Sequence, residues 1–259
     1  MVLSSFWKEK YILESKKSWD LFYKRNGIRF FRDRYWTLNE TGQDGFYDLL
    51  QGWIREAESQ GRPLYILEAG CGVGNTIFPI LGWNNSIRFY ACDISKEAIG
   101  LLQNNPAFDS ERIHCLVLDI SKESLSDYIP EKGQVDVAIL FFSLSAIAPK
   151  YHKFVIENVY KVLRPGGWLL FRDFCEGDLA QTRFSKENQV EEQWFVRQDG
   201  TFSYFFRIEQ VQAMFQAQGF RTERLNTVDR SIENRKLGKK MNRRWLQGCF
   251  QKKDCGNLS

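Results

Sequence analysis

The segment Glu68-Ala69-Gly70-Cys71-Gly72-Val73-Gly74 follows directly on the apolar run Leu64-Tyr65-Ile66-Leu67, and Asp93 closes the next apolar run, Ile87-Arg88-Phe89-Tyr90-Ala91-Cys92. Glycines at alternate positions after a strand let the backbone turn sharply and approach a ligand where any Cβ would intrude. An acid about 20 residues further on can accept hydrogen bonds from ribose hydroxyls. Gly70, Gly72, Gly74 and Asp93 therefore predict a nucleotide cradle whose ligand carries an adenosine-like part.

What this loop lacks narrows the ligand. The dinucleotide fingerprint needs a third glycine where the chain has Asn75, and the Gly-Lys-Ser/Thr ending of a phosphate loop is absent. Glu68, two residues before Gly70, completes E-x-G-x-G-x-G, which resembles the signature of Rossmann-like class I methyltransferases and so implies S-adenosylmethionine as cofactor. A nicotinamide enzyme or a purely structural glycine turn are the alternatives. Asp119, in Val117-Leu118-Asp119-Ile120, could accept from an adenine amino group while the Ile120 N–H meets a ring nitrogen. It could equally be a turn or helix N-cap acid. Phe141, at the end of the fourth apolar run, is expected to border the same channel.

Little else offers catalytic groups. His114 and His152 are the only histidines, neither near an acid or cysteine at ligand spacing, so a metal site or a histidine-based triad has almost no material. Cys71, Cys92, Cys115, Cys175, Cys249 and Cys255 are scattered without a C-x-x-C pair, as buried reduced thiols would be.

The elements that must position these groups follow from periodicity. Apolar runs at Leu64–Ala69, Ile87–Cys92, Ile113–Leu118, Val135–Phe142 and Trp168–Phe171 suit buried parallel strands. Between them lie helical patterns at Asn75–Leu81, Lys96–Asn104 and Lys150–Leu163, the last stopped by Arg164-Pro165-Gly166-Gly167. That alternation predicts an α/β, doubly wound sheet. A further helix over Gln210–Gln218 and strands at Phe220–Thr227 and Arg244–Gln251 would add an edge hairpin and complete the seven-stranded sheet of class I methyltransferases. Residues 1–60 then form an N-terminal extension, and residues 61–259 the methyltransferase domain, with an insertion at about 174–207 and a basic C-terminal hairpin. Substrate specificity is expected in the extension and the insertion.

The chain has 259 residues, 43% of them hydrophobic, enough for one large core, and a formal charge of +4 that would suit a polyanion. Its start carries no basic leader, Glu9 and Glu14 argue against a transit peptide, and no segment reaches membrane-spanning length. A soluble protein of cytoplasm or nucleus is expected, with neither a membrane nor DNA as partner.

The extension mixes rings with fixed charge in Trp19-Asp20-Leu21-Phe22-Tyr23-Lys24-Arg25-Asn26 and in Phe30-Phe31-Arg32-Asp33-Arg34-Tyr35-Trp36. Rings stack on bases and arginines meet phosphates. Composition alone equally allows an amphipathic segment that packs its rings on the sheet. The stretch Ser18–Asn26, the stretch Arg32–Thr37 and Val196-Arg197-Gln198-Asp199-Gly200-Thr201 resemble signatures of the tRNA N3-methylcytidine methyltransferases, and the likeness runs from Trp19 to Phe250.

The resemblance implies methyl transfer from S-adenosylmethionine to N3 of an anticodon-loop cytidine, at position 32 of serine and threonine tRNAs. In some members it also implies reliance on a seryl-tRNA synthetase. It implies that Trp19 and Tyr23 join Glu68, Gly70, Gly72, Gly74, Asp93, Asp119, Ile120 and Phe141 at the cofactor. It further implies that Leu169–Phe174, with Arg172 and Asp173, lies at the target base, and that Arg244 helps hold tRNA. Phe30, Phe31, Arg32, Arg34 and Arg197 are the expected tRNA contacts of the shared motifs. In the C-terminal cluster of Arg230, Arg235, Lys236, Lys239, Lys240, Arg243, Arg244, Lys252 and Lys253, opposed by Asp229, Glu233 and Asp254, Lys239, Lys240, Arg243 and Arg244 are the expected phosphate contacts.

The chemistry agrees. N3 of neutral cytosine already exposes a lone pair, so a general base would have nothing to do, and positioning supplies most of the acceleration. An unpaired loop base meets the need for access to the Watson–Crick edge. Asp173 could accept from the cytosine amino group and offset charge growing on the ring; its alternative role is a strand-end acid bridging to Arg172. Methylation of a protein or small molecule, and a subunit presenting tRNA to a catalytic partner, are the competing functions.

Overall fold

Continuous apolar runs become parallel strands here because helices cover both faces of the sheet and leave no polar side for alternation. The computed structural model describes residues 3–39, 45–129, 135–234 and 239–253. Helices α1 (Ser5–Leu13), α2 (Ser15–Asn26), α3 (Trp36–Asn39) and α4 (Tyr47–Ser59) precede β1 (Leu64–Ala69). Then come α5 (Ile77–Trp83), β2 (Ile87–Asp93), α6 (Lys96–Gln103), β3 (Ile113–Val117), β4 (Val135–Phe141), α7 (His152–Val162) and β5 (Leu163–Phe174). After these follow α8 (Leu179–Thr182), β6 (Gln189–Glu191), β7 (Trp194–Val196), β8 (Phe202–Tyr204), α9 (Ile208–Ala217), β9 (Phe220–Asn234) and β10 (Lys239–Lys252).

Seven strands form one sheet in the order β3-β2-β1-β4-β5-β10-β9, parallel from β3 to β5 and antiparallel through β10 and β9. This is the Rossmann-like sheet that the sequence predicts, with the terminal hairpin at the edge. Because β1 lies between β2 and β4, the chain leaves it toward one half of the sheet and later fills the other. The point of reversal, beyond the carboxyl end of β1, is where open α/β sheets bind ligands.

The two faces of β1 feed two cores. Leu64 and Ile66 pack with Leu50, Trp53 and Ile54 of α4, while Leu67 and Ala69 pack with Val155, Ile156 and Val159 of α7. Helix α4 is thus one of the sheet's covering layers, although it falls within the segment 1–60 that the sequence separates from the domain. At the opposite end, the buried carboxylate of Asp136 takes both Arg62 nitrogens at 2.8 Å, Arg164 Nε at 2.6 Å and the Tyr65 N–H at 2.9 Å. That cluster ties β1, β4 and β5 together where no ligand is expected.

Three features differ from the sequence prediction. Strand β5 begins at Leu163, with a register shift against β4 around the Pro165-Gly166-Gly167 turn. The edge hairpin is longer than its apolar portion, because its outer halves carry polar residues that alternation cannot mark. The insertion contains its own three-stranded sheet, β6-β7-β8. Arg235, Lys236, Asp254 and Cys255 lie outside the described residues, as do the side chains of Glu233, Lys239 and Lys240.

Candidate active site

Two adjoining cavities open at the carboxyl ends of the strands. The first encloses about 1000 Å³, its open mouth included, between the glycine loop, the ends of β2, β3 and β4, and helix α2. Trp19, Tyr23, Gly70, Gly72, Asp93, Asp119 and Ile120 all line it, so the structure brings together seven of the residues expected at the cofactor. Glu68, Gly74 and Phe141 stand behind that wall.

The glycines are needed for a reason that the sequence does not show. Gly70, Gly72 and Gly74 have φ of 81°, 55° and 87°, a region that favours glycine. A Cβ on each would lie 2.5 Å from Ser143 Cβ, 2.6 Å from the Tyr23 hydroxyl and 2.6 Å from the Phe78 ring, respectively. The space that side chains vacate is filled by the protein itself, which draws α2 and the β4 end tightly onto the loop.

Asp93 holds this loop in place. Its Oδ2 accepts from the Gly72 N–H at 2.8 Å and its Oδ1 from the Ser95 N–H at 2.9 Å. Burial pushes its pKa up to about 6, against the pull of those two N–H groups. Ser95 in turn caps α6 and donates its hydroxyl to Asp20 of α2 at 2.7 Å. Asp119 lines the cavity and is also a turn acid, accepting from the Ser121 N–H, the Ser121 hydroxyl and Lys122 Nζ.

Phe141 requires a correction. Its ring stacks on Phe46 in the core, 5.4 Å between centroids, and Phe142 lines both cavities instead. Phe142 has φ of 54°, the one non-glycine positive value among the described residues. This kink ends the strand at Phe141, one residue before the apolar run Val135–Phe142 ends.

Glu68 is fully buried and pairs with Arg34 at 3.3 Å, and burial pushes its pKa up to about 7 with Arg34 opposing the rise. Arg34 also donates to the Thr76 hydroxyl at 2.9 Å, and its backbone N–H donates to the Asn75 carbonyl at 2.7 Å. The Asn75 amide donates to Asp33 at 3.0 Å. The residue that stands in place of a third glycine thus latches the extension to the loop.

The second cavity shares Trp19, Phe31, Arg34, Phe142, Ala146 and Phe202 with the first. Phe30, Phe31, Arg32, Arg34, Arg197 and Arg243, six of the residues named as expected tRNA contacts, line it. Sequence reasoning named no role for Arg183, Asp199 or the rings of Trp36, Phe174 and Trp245, although Trp36, Phe174 and Asp199 lie inside motifs that it singled out. Rings and guanidinium groups alternate along one wall. Arg172 lies 4.0 Å from the Trp36 ring and 5.0 Å from Trp245, Arg243 5.6 Å from Trp245 and 5.8 Å from Phe174, and Arg197 5.8 Å from Phe174. Asp178, fully buried, accepts from Arg243 Nε at 3.0 Å and fixes that side chain.

Asp173 and Arg172 sit behind this wall rather than on it. Asp173 Oδ2 accepts from the Ser145 N–H and Oδ1 from the Phe174 N–H, each at 2.9 Å, and burial pushes its pKa up to about 6. Arg172 lies between the rings of Trp36 and Trp245. Arg244 points away from the lining that holds Arg243 and pairs with Asp229 at 2.8 Å. His152 is buried against Tyr204 and Phe206, its pKa pushed down to about 4 by burial, and is a core residue.

The first cavity fits an adenosyl sulfonium ligand: a glycine-lined floor, two acids, and the rings of Trp19 and Tyr23 as cover. Known proteins agree in sequence and fold. A family described as a methyltransferase domain matches residues 67–169. The chain is 41% identical over 253 residues to a tRNA N(3)-methylcytidine methyltransferase of Schizosaccharomyces pombe, covering 96% of this chain and 97% of that one. It is 37% identical over 249 residues to a tRNA(Thr) (cytosine(32)-N(3))-methyltransferase of Saccharomyces cerevisiae, covering 95% of this chain and 38% of that one. A didemethyltoxoflavin N1-methyltransferase of Burkholderia thailandensis with bound S-adenosylhomocysteine shares the fold at a TM-score of 0.59 and 15% identity, over 98% of this chain and 93% of that one.

Proposed function

This chain belongs to the tRNA N(3)-methylcytidine methyltransferases, and from that premise we propose a role for each cavity. The enzyme forms 3-methylcytidine in tRNA with S-adenosylmethionine as cofactor, the cofactor in the first cavity and the cytosine in the second. The observation that carries this division is the shared wall: six residues, Arg34 among them, border both cavities, one cavity bearing Asp93 and Asp119 besides, the other bearing Arg32, Arg183, Arg197 and Arg243.

When bound, S-adenosylmethionine supplies an electrophilic methyl group on a sulfonium centre. Asp93 would accept from ribose hydroxyls, and Asp119 and Ile120 would meet the adenine edge. Trp19 and Tyr23 would exclude water by closing α2 over the loop. No side chain need take a proton, because cytosine N3 enters with its lone pair free. The task left to the chain is orientation. The ring and guanidinium wall would receive a loop base unstacked from its neighbours and the phosphates beside it. Asp173 would act as a positioning residue, holding Ser145 in that wall through the Ser145 N–H.

We further propose the anticodon-loop cytidine at position 32 of serine or threonine tRNAs as the target, a reading supported by the family signatures and by the named activity of the yeast relative. Nucleoside mass spectrometry of individual tRNAs from cells lacking the protein tests it. Loss of 3-methylcytidine from those isoacceptors is expected, and its full retention in every tRNA would refute the assignment.

A further inference from the structure

Cytosine approached at N3 presents two more groups beside that nitrogen, an amino group that donates and a carbonyl that accepts. A cavity that selects cytosine must offer an acceptor and a donor next to its junction with the cofactor cavity. Among the described residues that line the second cavity, the charged groups are five arginines and one acid, Asp199.

Asp199 belongs to the tight turn between β7 and β8. Its Oδ1 accepts from the Thr201 N–H at 3.0 Å and from the Thr201 hydroxyl at 2.6 Å, while Oδ2 takes no part in the turn. Arg197 closes the same turn, its N–H donating to the Thr201 carbonyl at 2.7 Å, and its Nε donates to the Ser203 hydroxyl at 2.8 Å. A Cβ on Gly200 would lie 2.9 Å from Ser18 Oγ, so the turn is seated against α2 one residue before Trp19. It then runs directly into Phe202. Trp19 and Phe202 line both cavities, and Asp199, three residues before Phe202, lines the second. The acid at the end of β5, Asp173, has each of its oxygens engaged by a backbone N–H and is fully buried.

We infer that Asp199, with Arg197 beside it, reads the target base: the carboxylate accepts from the exocyclic amino group of cytosine and the guanidinium donates to its O2. The inference deepens the proposed function and rests on it. Uracil puts an acceptor where cytosine has a donor, and it is rejected by charge as well as by a lost hydrogen bond. The same carboxylate faces a base that becomes cationic once its N3 carries a methyl group, in a cavity whose other charges would repel it.

The test is a pair of variants. Asp199→Asn keeps the Oδ1 acceptor that the turn uses and replaces Oδ2 with an amide donor; Asp199→Ser keeps a turn acceptor and removes the second oxygen. Anticodon stem-loop RNAs carrying cytidine or uridine at the target position are titrated by fluorescence anisotropy, with S-adenosylhomocysteine affinity measured alongside by calorimetry. The wild type should prefer cytidine by about tenfold or more. In Asp199→Asn the preference should vanish or reverse toward uridine, in Asp199→Ser it should vanish without reversal, and S-adenosylhomocysteine affinity should be unchanged in both. A cytidine preference that survives in both variants overturns the inference while leaving the activity intact. Failure of the wild type to methylate any tRNA would instead overturn the activity, and this inference with it.

Discussion

The hydroxyl of Tyr23 occupies the place that a side chain on residue 72 would need, 2.6 Å from an ideal Cβ on Gly72. The Tyr23 oxygen is thus one of the contacts that seat helix α2 on the glycine loop, beside the packing of Phe22 and Tyr23 with Val73. Gly72→Ala should push Tyr23 outward and weaken S-adenosylhomocysteine binding by about tenfold or more, since an alanine at φ of 55° adds its own strain of order 1 kcal/mol. Adding Tyr23→Phe should return part of that affinity by removing the clashing oxygen, and calorimetric titration of both variants measures the coupling. Purely additive losses would show that the contact does not control closure.

The raised pKa of Asp93, about 6, gives cofactor binding a pH dependence. A carboxylate that accepts from ribose hydroxyls must be ionised, so affinity should be level above about pH 7 and fall as the group takes up a proton. Between pH 7 and pH 5 the loss should approach tenfold. Asp93→Asn should bind more weakly at every pH, with this dependence removed.

Arg34 and Glu68 form a pair in which the acid is almost wholly excluded from water. Removing one partner of such a pair leaves an uncompensated buried charge, and Arg34→Met should cost about 3 kcal/mol in urea unfolding at pH 8. The folded-state pKa of Glu68, about 7, lies above its ordinary value, so the folded state binds the extra proton and stability falls as pH rises through that range. The deficit of Arg34→Met should therefore shrink at pH 5, and Glu68→Gln in the same chain should recover much of it.

Asp173 should behave as a positioning residue. Asp173→Ala leaves the Ser145 and Phe174 N–H groups unpaired in the interior, at a cost of about 1–3 kcal/mol each. Methyl transfer should fall sharply with S-adenosylhomocysteine affinity retained, and Asp173→Asn, which keeps one acceptor, should recover part of the rate. Unchanged turnover in Asp173→Ala would remove it from the machinery.

Binding of tRNA should weaken steeply with salt, because the arginines of the second cavity displace counterions from phosphates. Arg243→Ala should lower the slope of log affinity against log salt by about one. Arg244→Ala, whose arginine is not part of the cavity lining, should change it less. Equal slopes in all three proteins would place the phosphate contacts elsewhere.

Much of the fold was legible in the sequence because buried parallel strands are written as uninterrupted apolar runs, and β1 has the bounds that its run predicts. The acids that line the first cavity were legible because Asp93 and Asp119 stand directly after such runs, at the carboxyl end of the sheet. Strands β6, β7 and β8 escaped notice, since three residues are too few to establish a period. Helix α4 was assigned to the extension by its place before β1, and only the burial of Trp53 and Ile54 shows that it covers the sheet.

What the sequence determined by itself was an adenosine-bearing ligand and the sheet, which follow from local spacing, and the family, which follows from the resemblance of its motifs. Tertiary structure decided which of two neighbouring residues faces the site. The positive φ of Phe142 turns that ring into the cavities and leaves Phe141 in the core, the pleat of β10 sends Arg243 inward and Arg244 to Asp229, and a turn seated on Ser18 brings Asp199 to the wall of the second cavity. These outcomes depend on contacts between segments far apart in the chain, and the direction of a side chain is set by the backbone that such contacts hold in place.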